Sequence, residues 1–190
     1  TSRTDITRLR QEQLNRTRTP WFMLLDGDEI WPKTNVSKLT SAAAAAPAST
    51  IALFTRTRNC VGDVYHYLPE SAGHYHIKGI TGHLNIRLIR NLPGLHVEGK
   101  YPSEAYIIKG EPIQELDHQL EFVDTWYLHT THLPRSTSRA GESAVIDRLT
   151  KRKFRLGLKM AKSELPAIFW QPKPSIVPAP ITNRWKAFFL

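Results

Sequence analysis

Trp21-Phe22-Met23-Leu24-Leu25-Asp26-Gly27-Asp28-Glu29-Ile30-Trp31-Pro32 is the stretch whose reading decides the fold. Its apolar run, Trp21 to Leu25, is unbroken and is followed at once by Asp26, Asp28 and Glu29. A short continuous apolar run bounded by turn residues reads as a buried strand of a parallel or mixed sheet. Gly27 lets the backbone turn tightly beyond it, and Pro32 stops regular structure soon after. The stretch therefore predicts a central strand with Asp26, Asp28 and Glu29 at its carboxyl edge, where open α/β sheets place their ligands. Carboxylates at i and i+2 can share a hard divalent cation that substrate phosphates also hold. The plainer alternative is a solvated acidic turn. Against it stands the company these carboxylates keep, a chain with a net charge of +9.

At 190 residues the chain is one domain, or one domain with an appendage, and it is long enough to bury a proper core. Its 41% apolar and 9% aromatic content are ordinary for a globular protein. The basic balance favours anionic partners without choosing among nucleotide phosphates, anionic lipid and nucleic acid. A single cysteine, Cys60, excludes an internal disulfide and fits a reducing compartment. No run approaches the roughly 20 apolar residues that span a bilayer, and no signal peptide is visible. The expected location is cytoplasmic, with peripheral contact at the inner face of an anionic membrane left open. The chain opens at Thr1 rather than Met, which points to something missing upstream.

Along the chain, residues 4–18 read as a basic helix with Ile6, Leu9, Gln13 and Leu14 near one face. Thr34 or Asn35 is expected to cap a second helix that runs through the alanines to Pro47. Strands are expected at 50–56, at 84–89 and at 122–131. In the second of these, Arg87 and Arg90 point to opposite faces unless a bulge intervenes. Gly62-Asp63 signals a turn before Val64 to Leu68, a hairpin or loop. His74, His76 and His83 lack a soft companion ligand and read as structural or loop histidines. A basic amphipathic helix is expected over 140–160, then a proline-rich strap beyond Pro166 and an apolar end at Trp185 to Leu190.

The stretch Trp21 to Trp31 resembles the D-x-D motif of family 2 glycosyltransferases, enzymes of the GT-A fold. Leu9-Arg10-Gln11-Glu12-Gln13-Leu14 resembles that family's A-R-N-x-x-L helix, with Gln11 in place of the asparagine. Arg87-Leu88-Ile89-Arg90-Asn91 resembles its R-L-x-R-N strand. Gly94 to Tyr106 is similar to its G-x-V-H-E region, with Glu104 at the glutamate and Ser103 replacing the histidine. The resemblance implies a GT-A-like (Rossmann-like) mixed α/β sheet flanked by helices and truncated at its N-terminus. Residues 1–136 would be a partial catalytic domain, and 137–190 a basic helix and proline-rich tail packed on it. It further implies a metal-dependent transferase of hexosyl type that uses a UDP-, GDP- or dTDP-sugar as donor, in cell-envelope polysaccharide biosynthesis.

The resemblance assigns roles as well. Arg10 would face the donor diphosphate, Asp26 would lie near the ribose or metal, and Asp28 would ligate Mn²⁺ or Mg²⁺. An inverting transfer needs a carboxylate to take the acceptor's hydroxyl proton, for which Glu104 is the first candidate and Asp63 the second. His129 and His132, which end the strand at 122–131, are alternatives for a further metal ligand. Arg135 could meet the diphosphate through its bidentate guanidinium. Trp31 and Tyr101 offer flat faces to an acceptor sugar, which would belong to a glycan or a lipid-linked acceptor. The competing class is a non-catalytic basic fragment that binds anionic lipid or nucleic acid. No nucleic-acid motif supports it.

Overall fold

Leu53, Thr55, Thr57 and Asn59 alternate with Ala52, Phe54, Arg56 and Arg58 along one strand, and most of these side chains are buried on both faces. A strand buried on both faces belongs at the centre of a sheet. In the computed structural model, which describes residues 3–100, 102–133 and 157–170, it does lie there. The mixed five-stranded sheet has the order β1 (Trp21–Met23), β7 (Leu84–Arg90), β3 (Ala52–Asn59), β11 (Leu120–His129) and β2 (Glu29–Ile30). β7 runs antiparallel to β3, while β11 runs parallel to it. Smaller pairings join β5 (Tyr75–Ile77) to β6 (Ile80–Gly82) and β8 (His96–Glu98) to β9 (Ala105–Ile108) and β10 (Glu111–Pro112).

One expectation is corrected at once. β1 is not central: it is a half-buried edge strand that pairs with β7 alone. After Met23 the chain leaves the ladder, and Leu24–Asp28 runs to the opposite edge, where Glu29 and Ile30 pair with β11. Asp26 and Asp28 thus lie on a segment that joins the two edges of the sheet.

Among the described residues, two helices cover the sheet. α1 (Arg3–Arg16) and the β8–β10 sheet enclose Phe54, Leu84, Ile89, Val97 and Tyr106. α2 (Lys33–Ala45) packs Leu39 and Ala43 on Leu53 and Leu88 from the other side. It starts directly after Pro32, so Asn35 is an interior residue rather than a cap, buried and donating Nδ2 to the Trp126 carbonyl at 2.7 Å. Ala46 turns extended because it precedes Pro47. The β5–β6 and β9–β10 hairpins each close on a Lys-Gly pair in left-handed geometry, Lys78 and Gly79 (φ 50° and 78°) and Lys109 and Gly110 (φ 54° and 83°). Such two-residue turns match the twist of the flanking strands.

β7 carries a bulge. Leu53 pairs with Leu88 and Phe54 with Ile86, which leaves Arg87 as the extra residue. The bulge moves Arg87 onto the α2 side, the side on which Arg90 covers the Trp21 ring at 4.4 Å. Both arginines therefore share one face.

Residues 157–160 are extended rather than helical, and Leu158–Lys159 (β12) pairs with His66–Tyr67 (β4). Gly157 comes so close to Tyr67 that a Cβ there would lie 2.7 Å from its carbonyl oxygen. Met160 and Leu165 then cover Cys60 and Leu128. Arg58 fastens this segment: its guanidinium lies 3.8 Å from the Trp126 ring centre and 4.8 Å from that of Tyr67, and it reaches Glu164 at 2.8 Å. Beyond Pro166 a 3₁₀ turn (Ala167–Trp170) sets Phe169 edge-on to Tyr65, where the extended strap was expected. The remainder of the expected 140–160 helix, Tyr101, Arg135 and the proline-rich tail lie outside the described residues. No helix among the described residues is long and apolar enough to cross a membrane.

Burial pushes the Cys60 thiol up to about 12, so a thiol reagent should modify it only when the covering segment opens. Arg58→Ala is expected to cost on the order of 2 kcal/mol, from the desolvated cation–π contacts, and to speed labelling of Cys60. Unchanged stability and unchanged labelling would show that Arg58 does not fasten the segment.

Candidate functional site

The polar half of β3 decides where the site forms. Leu53 lies under α2, but Thr55, Thr57 and Asn59 continue on the same face beyond it. In the ladder Asn59 stands beside His129, and His129 beside Glu29, so all three line one row at the strand ends. Tyr127, two residues before His129, presents its hydroxyl to the same face. That oxygen accepts hydrogen bonds from Arg87 Nε and Asn85 Nδ2, both at 2.9 Å. Burial pushes its phenol up to about 12, which keeps it a neutral hydroxyl.

Arg87, raised by its bulge, is the hub. Its side chain is 8% exposed and reaches Glu29 Oε1 at 2.5 Å and Asp26 Oδ2 at 3.5 Å. Glu29 also accepts from the Trp31 indole at 3.0 Å, and Trp31 stacks on Tyr127 at 4.5 Å. One face of Trp31 is thus taken up by packing. Burial raises the Glu29 carboxyl above its usual range, with the Arg87 guanidinium pulling the other way. Arg10, from α1, spans Asp26 Oδ1 at 3.2 Å and Glu104 Oε1 at 3.4 Å.

Asp28 is set apart from this lattice. Its carboxylate lies 3.4 Å from His129 Nε2, and both side chains are about one-fifth exposed, at 19% and 22%. Its carbonyl accepts from the amide and hydroxyl of Thr130, at 2.8 and 3.0 Å. Four carboxylates, Asp26, Asp28, Glu29 and Glu104, here face two guanidinium groups, so the site is locally acidic within a basic chain. Among the described residues no three His, Cys, Asp or Glu form a group able to hold a metal by themselves.

Two clefts meet at Arg10, Leu24 and Tyr106. One, of about 470 Å³, lies between α1 and β1, is lined by Ile6, Leu9, Gln13 and Leu14, and ends at Asp26. The other, of about 430 Å³, opens past the end of β1 against Asn85 and Arg87, with Glu104, Tyr75 and His76 on its walls. Glu104 is nine-tenths buried, and its Oε2 has no hydrogen-bond partner among the described residues.

The other residues singled out from sequence lie elsewhere. Asp63 is buried in its turn, with Oδ1 accepting from the Tyr65 amide and bonded to His66 Nδ1, both at 2.8 Å. His132 is buried beyond the end of β11. Gln11, at the family's asparagine position, ties α1 to β8 by accepting from the Val97 amide at 2.7 Å. Sequence reasoning missed Asn59 and Tyr127 as site residues. The polar alternation Thr55, Thr57, Asn59 was the available signal for the first.

Tyr127→Phe keeps the ring that stacks on Trp31 but strands the Arg87 and Asn85 donors. Denaturant unfolding should show a loss of about 1–3 kcal/mol. A variant as stable as the parent would mean that the hydroxyl does not anchor Arg87. The chain matches no protein-family model and no curated protein.

Proposed function

We propose that this chain carries the metal-and-acceptor part of a GT-A-type glycosyltransferase, which moves a sugar from a nucleoside-diphosphate sugar to an acceptor hydroxyl with inversion. The observation that carries the reading is the pairing of Asp28 with His129. Residues from two separate motifs stand 3.4 Å apart, with Asp28 two positions along the chain from Asp26, which lines one of the clefts. A carboxylate with a neutral imidazole suits Mn²⁺ or Mg²⁺, more closely the former. The donor set fits such an ion if diphosphate oxygens complete the shell, and His129 is oriented for it, since Asn59 engages its other ring nitrogen at 3.1 Å. When bound, the ion supplies Lewis-acid neutralisation of the departing nucleoside diphosphate.

The chain's own residues do the rest. Asp26, held by Arg10 and Arg87, keeps the crossing segment in place and presents its carboxylate to the α1–β1 cleft, where a ribose or phosphate would lie. Glu104 lines the second cleft, its Oε2 has no hydrogen-bond partner among the described residues, and it serves as the base. As the acceptor oxygen attacks the anomeric carbon, its proton passes to Glu104 and the bond to the diphosphate breaks. Arg10 Nε, 3.4 Å from Glu104 Oε1, holds that carboxyl group in place. The donor cleft and the acceptor cleft are then the two that share Arg10.

The basic-module reading is less well supported. Arg56, Arg58, Arg87 and Arg90 are each engaged by carboxylates, aromatic rings or carbonyls, so little of their charge is offered outward. A glycan or lipid-linked acceptor, at a membrane's inner face or in the cytoplasm, is the partner class that this function implies.

Calorimetry with UDP, GDP and dTDP should give Mn²⁺-dependent binding of one nucleotide, lost in Asp28→Ala. Glu104→Gln should keep that binding while transfer falls roughly 10²- to 10⁴-fold, the range for removal of a general base. Binding that ignores both metal and Asp28 would defeat the proposal.

A further inference from the structure

We infer that Asn59 is a positioning residue that fixes the tautomer of His129, so that the bare nitrogen of the ring faces Asp28. The inference rests on the transferase reading only for the purpose of that nitrogen. The geometry is independent of it.

Asn59 stands between two imidazoles. Its Oδ1 lies 3.1 Å from His129 Nδ1, and its Nδ2 lies 3.0 Å from His83 Nδ1. The amide oxygen can only accept and the amide nitrogen can only donate. His129 Nδ1 must therefore carry the hydrogen, and His83 Nδ1 must be the bare acceptor. A neutral His129 then has its lone pair on Nε2, directed to the side of Asp28 Oδ1, 3.4 Å away. That separation is long for a hydrogen bond and leaves room for a shared ligand. Imidazoles in water favour the opposite tautomer, with the hydrogen on Nε2, so the arrangement has to be imposed by the fold.

The fold imposes it from three sides. Asn59 and His129 are register partners at the ends of the parallel strands β3 and β11, which sets their side chains side by side. His83 is buried, and its carbonyl accepts from the Thr57 amide at 2.7 Å, which holds the second ring against Asn59. Thr130 grips the Asp28 carbonyl with both its amide and its hydroxyl, which locks the partner carboxylate to the residue next to His129. Metal-bound histidines commonly have their second nitrogen held by such an acceptor, and its removal weakens metal affinity by about 10- to 100-fold. Asn59 is placed to be that acceptor, and His83 keeps its amide from turning over.

The test uses nitrogen NMR of the imidazoles in the metal-free full chain at alkaline pH, together with Mn²⁺ binding in the presence of a nucleoside diphosphate followed by EPR. His129 is expected as the Nδ1–H tautomer. Asn59→Leu, which removes the acceptor, should return His129 toward Nε2–H and weaken Mn²⁺ binding about 10- to 100-fold. Asn59→Asp keeps an acceptor at the same place and should retain both the tautomer and most of the affinity. His83→Leu, which frees the amide to turn, should give a mixture of tautomers. An Nε2–H tautomer in the parent would overturn the inference, as would a tautomer that is the same in the parent and in Asn59→Leu. Lack of Mn²⁺ binding by a parent with the Nδ1–H tautomer would contradict the transferase reading and uphold the role of Asn59.

Discussion

A guanidinium taken out of water is tolerated only where carboxylates and hydrogen-bond acceptors surround it. Arg87 meets that condition with Glu29, Asp26 and Tyr127, and it does so because a bulge in β7 redirects its side chain. The contacts bind together pieces of chain that are otherwise held loosely. β1 contributes three residues to the sheet and β2 two, and the segment between them makes no ladder of its own. Arg87 grips that segment at Asp26 and β2 at Glu29. Removing one partner of a buried pair generally costs about 3–5 kcal/mol, since the other charge is left uncompensated. The carboxylates therefore stay where the sheet's strand ends can use them.

The same arrangement divides the acidic residues by task. Asp26 and Glu29 are committed to guanidinium groups, whereas Asp28 points to a histidine and Glu104, which lines a cleft, keeps one oxygen without a hydrogen-bond partner among the described residues. Arg10 links Asp26 to Glu104 and stands where the two clefts join. A substrate in one cleft would thus be felt in the other through a single side chain. On the opposite face of β3, Arg58 is clasped between aromatic rings under the 157–170 segment.

Much of this architecture was legible in the residues. The periodicity of both helices, the apolar strands and the stop at Pro47 located α1, α2, β3, β7 and β11 close to where they lie. The position of β1 was not legible, because an apolar run covered by a helix reads the same at an edge as at the centre. Arg87 and Arg90 share a face only through the bulge, and nothing local to Arg87-Leu88-Ile89-Arg90 announces it. Lys78-Gly79 and Lys109-Gly110 did carry a hairpin signal in their glycines. Asn59, His83 and His129 meet through strand pairing alone, and pairing between distant strands is the information that a single sequence holds least openly. The end of the expected 140–160 helix failed at Gly157, where close packing on Tyr67 outweighed the apolar pattern.

The central claim is that Asp28 and His129 form the metal end of a nucleotide site. Paramagnetic broadening by Mn²⁺ tests it most directly. In a heteronuclear spectrum of the chain with a nucleoside diphosphate, substoichiometric Mn²⁺ should erase the signals of Asp28, His129, Thr130 and Asn59. Those of Lys109 and Asp117, on other parts of the fold, should remain. Broadening centred elsewhere, such as on the exposed His96–Glu98 pair, or none that requires the nucleotide, would contradict the account.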